Sequence, residues 1–249
     1  MTEPAVRTAG AAAFSLTIRH THVAVVLGGI TAFLVLTHLT LQAIAILSGH
    51  DHLFGLVQMF NLDAEHNLPT LFGGLLFLVS AMLCAILWSA GRAEGRAERA
   101  WLMLAYVFGF LGVDEFSVWH ERLDALLRSA LDPSGVLTFA WVIPYGFLTI
   151  VLALAMIPHL RRLEPTTRNY LILAGAIYVA GAIGFEMLGG YVYEGESTTH
   201  TWRWVTLTTI EELLEMVGMS LFVYTLLRQI RRRYGGVAVT LDGDSDEPA

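Results

Sequence analysis

Trp101-Leu102-Met103-Leu104-Ala105-Tyr106-Val107-Phe108-Gly109-Phe110-Leu111-Gly112-Val113-Asp114-Glu115-Phe116-Ser117-Val118-Trp119-His120-Glu121 is an apolar run, long enough to enter a bilayer, that passes without a turn signal into ionisable residues. On one continuous helix, at about 100° per residue, Asp114 and Glu121 share an edge, Ser117, His120 and Asp124 cover the adjoining third of the circumference, and Glu115 turns toward Arg122. An ionisable side chain inside a membrane span costs about 2.5–3.5 kcal/mol, so this helix must face protein or water and not lipid.

Composition agrees with a membrane assignment. The chain has 249 residues, 55% of them hydrophobic and 15% charged, with a mean hydropathy of +0.59, which sets a soluble domain aside. All 15 basic residues are arginine, so no lysine can serve as a nucleophile or carry a retinal-type Schiff base. The single cysteine, Cys84, lies in an apolar run and excludes a disulfide framework or a cysteine-based metal site within one chain. Met1 to Ser15 lacks the features of a cleaved signal, so the first apolar run is expected to be retained. The net charge of −7 comes partly from Asp242, Asp244, Asp246 and Glu247, read as a disordered end. No basic stripe suggests nucleic acid.

Outward from the quoted stretch, six segments approach the roughly 20 apolar residues that a spanning helix needs. They run over 22–47, 69–90, 101–123, 136–157, 169–190 and 204–228. Pro69 opens the second, Asp132-Pro133-Ser134-Gly135 separates the third from the fourth, Pro158 and Pro165 bracket the following loop, and Pro144 predicts a kink. The expected fold is all-α, a polytopic bundle of six transmembrane helices. Residues 1–21 form a cytoplasmic segment, 22–233 the transmembrane domain and 234–249 a cytoplasmic tail. With both termini in the cytoplasm, only Arg122, Arg128 and Arg203 lie outside and the remaining 12 of the 15 arginines lie inside, as the positive-inside rule requires.

This topology gathers the polar residues of the spans at the outer end. Asp114 falls roughly 20 Å along the outward third helix. His38 and Gln42 on the first helix, Glu186 on the fifth, and Glu211, Glu212 and Glu215 on the sixth lie in outer halves, with Asp63, Glu65 and His66 just above. Ionising Asp114, Glu115, Glu186, Glu211, Glu212 and Glu215 without partners would cost about 18 kcal/mol, more than the roughly 5–15 kcal/mol by which whole proteins are stable. Arg122 can offset one or two of these charges, so protons or metal ions must supply the rest. Glu211, Glu212 and Glu215 project within about 100° of each other, where like charges repel unless a cation binds between them. Carboxylates with some imidazole suit iron or manganese better than zinc. Di-metal bundles use Glu-x-x-His on two helices, and no span here carries it.

Packing explanations stand beside these. Asp63, Glu65 and His66 fit a helix start around Pro69, and one hydrogen bond would satisfy His38. Gly28-Gly29, Gly109 with Gly112, and Ala180 with Gly184 suit close helix approach. Trp141, Tyr145, Trp202 and Trp204 suit interfacial belts.

The ordered set Leu62-Asp63-x-Glu65-x-Asn67-x-Pro69-Thr70, Asp114-Glu115 with His120-Glu121-Arg122, Gly184-Phe185-Glu186-Met187-Leu188-Gly189-Gly190, and Glu211-Glu212-x-Leu214-Glu215-Met216-x-Gly218 resembles a group of bacterial six-helix integral membrane proteins without an assigned function. The resemblance implies the fold and a multi-pass location in the inner membrane, and no activity. The three-histidine hydrolases of the ceramidase and adiponectin-receptor type are not matched.

The leading expectation is an inner-membrane, metal-dependent enzyme with a site open to the periplasm, acting on a lipid, quinol or other amphiphile. Its expected metal ligands are Asp114, Glu121, Glu211, Glu215 and Glu212, with His38 and His66 as further donors, around a divalent metal. Glu186 and His120 are expected as added ligands or as the acid/base pair. The alternatives are a proton- or cation-coupled transporter using the same acids, and a structural subunit.

Overall fold

The computed structural model describes residues 19–49, 52–96, 98–196 and 201–236. The acidic tail, most of the N-terminal segment, His50 and His200 lie outside the described residues. Among the described residues the regular structure is all helix, with no strand.

Local chemistry sets the helix ends. Helix α1 (His20–Ser48) closes on Gly49 in the left-handed conformation at φ 70°. A short helix, α2 (Leu56–Phe60), precedes α3 (Leu68–Ala93), whose N-cap is the Asn67 side chain accepting from the Thr70 amide at 3.1 Å. Asn67 also donates to the carbonyls of Asn61 and Ala64 at 2.6 and 2.8 Å, which winds the 58–67 loop around its own side chain. Helices α4 (Arg99–Ser117) and α5 (Trp119–Leu131) follow, then α6 (Val142–Leu160). Helix α7 (Pro165–Val179) runs through a π-helical turn, Ala180–Phe185, into α8 (Glu186–Glu196). The last helix, α9 (Trp202–Tyr234), has 33 residues and is capped by Thr201.

Five helices are long and apolar enough to cross a membrane, namely α1, α3, α4, α6 and the rod Pro165–Glu194. They mark the chain as a membrane protein. Helix α9, interrupted by its three glutamates, is not among them; it packs on α1, α3 and α7.

Lipid is as apolar as leucine, so association of such helices rests on close van der Waals packing. The core of Leu76, Phe77, Leu87, Trp101, Phe108 and Met219 supplies it. One close approach joins α7 to α9, where a Cβ at Gly218 would lie 2.7 Å from the Tyr178 amide nitrogen. At Gly181, inside the π turn, it would lie 2.7 Å from the Glu211 carbonyl. Small residues therefore work at Gly112, Gly181 and Gly218, whereas Gly28, Gly29, Gly109 and Gly184 face open space.

Two helix readings change. The third span is not one helix to residue 123, because Val118 takes left-handed values (φ 56°, ψ 43°) and splits α4 from α5. A β-branched residue there is strained, and the apolar periodicity on either side gives no sign of it. Pro144 makes no kink, since α6 begins at Val142 and the ring sits in its first turn, where no amide donor is needed. The proline inside α6 is Pro158, within its last turn.

Candidate metal centre

The break at Val118 builds the site. The Asp114 carboxylate at the end of α4 accepts from the His120 amide at 3.0 Å through Oδ1, capping α5, and from Tyr145 Oη at 2.8 Å through Oδ2. His120 Nδ1 lies 3.4 Å from the same Oδ2. Asp114 is buried with both oxygens engaged, so it orients the imidazole as outer carboxylates do behind metal-bound histidines. That leaves Nε2 turned toward the 61–67 loop.

There it meets Glu65, whose Oε1 lies 4.0 Å from Nε2 while Oε2 accepts from the Thr70 hydroxyl at 3.3 Å. Ligand atoms of Glu65, His120 and Glu121 all lie within 4.8 Å of one another. Donors on one ion at about 2.0–2.2 Å stand at most about 4.4 Å apart, so small side-chain rotations suffice to close the group. One imidazole with two carboxylates suits iron, manganese or zinc and gives no foothold to copper(I).

Other carboxylates converge from further elements. Glu186 stands at the exit of the π turn and accepts from Trp141 Nε1 at 2.8 Å. Its carboxyl group and that of Glu211 are hydrogen-bonded to each other, which requires a proton or cation between them. Glu215 is hydrogen-bonded with Tyr178. Glu115 does not turn to Arg122: its Oε1 lies 2.7 Å from where a Cβ of Gly73 would be, inside the bundle and within electrostatic reach of Glu212 and Glu215. Arg122 is exposed beyond the break, and no ion pair joins it to Glu115 among the described residues. Glu115, Glu212 and Glu215 keep partial solvent access although protein surrounds them, so they line an internal crevice.

Outside the spans the electrostatics are clear. Asp63 is exposed as a residue, but its carboxyl turns inward to accept from Trp204 Nε1 at 2.9 Å. Crowding by protein, aided by Glu186, Glu65 and Glu121, pushes it up to about 6 against that hydrogen bond. Glu65 is raised chiefly by burial, with His120 opposing. For His120, burial lowers the imidazole, but the hydrogen bond and charge of Asp114, then Glu65 and Glu115, outweigh it and hold it above its ordinary value. Asp124 is taken up by Arg128 at 2.6 Å and by the Trp141 amide at 3.3 Å.

Of the residues singled out in the sequence, His120 and Glu121 meet at the Glu65 group, Glu186 and Glu211 meet each other, and Glu212 and Glu215 lie in the crevice. Asp114 stands behind His120. His38 is buried against the loop, its Nδ1 3.1 Å from the Leu62 amide, and with Gln42, which donates to Asn61 at 3.0 Å, it anchors the loop from α1. His66, at φ 60°, is exposed and outside the group.

Trp141, Tyr145 and Trp204 escape the sequence as site residues, because an interfacial belt explains aromatics near span ends equally well, and Tyr178, in mid-span, carries no sequence signal at all. For Glu65 the sequence supports a helix start and ligation equally. Its visible signal was acids at alternate positions, Asp63 and Glu65, in a loop too short to carry them idly.

Residues 19–230 match the family described as Domain of unknown function (DUF8692). The chain belongs to that family. The match covers every helix named above except the last four residues of α9, and includes every residue of the constellation. No curated protein and no solved structure matches the chain.

Proposed function

We propose that this chain is a bacterial inner-membrane protein of six spans, with α9 as the sixth and both termini cytoplasmic, and that it is a metal-dependent enzyme. The arginine distribution supports the orientation. It puts Glu65, His120 and Glu121 on the periplasmic side, where they hold a divalent ion, iron or manganese before zinc. The hydrogen-bonded pair Glu186 and Glu211 exchanges a proton with the reacting molecule. The substrate class is an amphiphile, a lipid or quinol, reached from the outer leaflet.

The single observation that carries this reading is the Glu65–His120–Glu121 group, with Asp114 fixing the imidazole so that Nε2 is the free nitrogen. Bound there, the ion would supply a Lewis acid or an activated water. Glu115, Glu212 and Glu215 below it favour a second reading, cation translocation through the bundle. Against it, the core beneath them is apolar, with Phe77, Phe108 and Met219 buried and no carboxylate among its members. A site closed on one side fits catalysis better than passage.

The test is elemental analysis of purified protein in nanodiscs, with His120→Ala, Glu65→Gln and Glu215→Gln. Stoichiometric metal lost in the first two and retained or reduced in the third supports the centre. Absence of metal under every loading condition rejects it. Ion flux in proteoliposomes abolished by Glu215→Gln would favour translocation.

A further inference from the structure

Helix α5 is amphipathic the wrong way round for a helix on a water-facing surface. Taking Trp119 as origin, Leu123, Leu126 and Ala130 fall within about 60° of one another around it, whereas His120, Asp124 and Arg128 lie about 100–180° away. The polar side is the one that contacts protein: His120 on Asp114, Asp124 under the Trp141 amide, and Arg128 over the Phe139 ring at 5.1 Å. The apolar side is bare. Trp119 is 44% exposed and Leu126 68%, Ala130 is exposed with them, and Leu123 is half-buried.

This bare face continues a surface that lipid already covers. The Trp119 ring packs back on Phe110 at 5.8 Å, and Phe110, Val113 and Phe116 are exposed along α4, one of the five span-length helices. Phe110 sits roughly 10 Å below the end of α4 at 1.5 Å per residue, so Trp119 reaches back below the level at which α4 stops. Arg122, on the flank of the apolar face, is placed to extend its guanidinium to head groups.

We propose that α5 lies in the membrane interface with Trp119, Leu123 and Leu126 among the outer-leaflet acyl chains, and that it forms the lipid-side wall of the centre. This rests on the membrane assignment and not on metal occupancy. It gives the amphiphile reading a route, since His120 and Glu121 are carried on a helix whose other side touches lipid.

The experiment uses the full chain with Cys84→Ala in phospholipid nanodiscs, spin-labelled singly at Leu126→Cys. Reference labels are Leu154→Cys on the exposed side of α6 and Arg161→Cys in the loop beyond it. Ala130→Cys, exposed on the same face, repeats the measurement should the first variant express poorly. The collision ratio of oxygen to a water-soluble nickel complex at position 126 should match that at 154 and exceed that at 161 by about threefold or more. A ratio at 126 equal to that at 161, while 154 reads as lipid, overturns the proposal and leaves the membrane assignment intact. An immobile label shielded from both colliders also overturns it, and points to a protein partner such as a second copy. If 154 itself reads as water, the membrane assignment falls first.

Discussion

The two ends of the bundle treat carboxylates in opposite ways. At the arginine-rich end Glu98 accepts from Trp101 Nε1 at 2.8 Å and pairs with Arg233 at 2.6 Å, and Glu164 caps α7 and is met by both Arg228 and Arg232. At the other end, Asp124 apart, which Arg128 holds, Asp63, Glu65, Asp114, Glu115, Glu186, Glu211, Glu212 and Glu215 have one imidazole among them, and the donors that reach them are neutral: the indoles of Trp141 and Trp204, the phenols of Tyr145 and Tyr178, the Thr70 hydroxyl and the His120 amide. Ion pairs suffice where only helix ends must be tied. A neutral donor holds an acid in place without cancelling its charge, which leaves the charge for something that is not part of the chain.

The largest effect that would break this contrast lies at His120. His120→Ala should weaken divalent-metal binding by more than about 100-fold, beyond the roughly 10–100-fold expected for an outer-shell change such as Asp114→Asn. Isothermal titration with manganese measures both, and equal losses would mean that Asp114 is itself a ligand. Next comes Gly218→Ala. Its Cβ would meet the backbone of α7, and overpacking there should cost about 1–3 kcal/mol, read as an earlier thermal midpoint.

A smaller effect separates the ends by pH. Asp63 has a folded value near 6 against an ordinary 3.8; its ionised form is disfavoured by folding, a cost absent below about 3.8 and complete above about 6. His120, raised, stabilises the fold below its ordinary 6.5 and loses that contribution as pH rises through its folded value. Both act in one direction, so metal-free protein should melt at a higher temperature at pH 5 than at pH 7.5. Saturating metal should abolish or reverse the trend. Smallest is Glu164→Gln. The hydroxyl and amide donors of Thr166 and Thr167 hold this half-buried acid down to about 2. Its contribution is present above about 4.5 and lost as pH falls toward 2, so the variant should flatten the melting profile only in that range.

Much of the fold was legible in the sequence, because a span announces itself by length and apolarity. The carboxylates were legible too, because each violates that pattern. What could not be read was direction. Glu115 and Arg122 are seven residues apart and pair on an unbroken helix; a left-handed Val118 between them turns one into the bundle and the other out, and nothing in a β-branched residue signals that conformation. Trp141 and Trp204 were equally opaque, since an indole at a span end satisfies either a head group or a buried carboxylate, and only the partner tells which. His38 accepts the amide of Leu62 at Nδ1, a contact set by a loop whose path depends on Asn67.

The indoles have a practical consequence. Trp141 touches the His120 ring at 5.2 Å and bonds Glu186, and Trp204 bonds Asp63, so two of the molecule's fluorophores border the place where a paramagnetic cation would sit. The protein therefore carries its own gauge of occupancy: ultraviolet emission should fall as manganese enters, without dye, tag or assay for turnover.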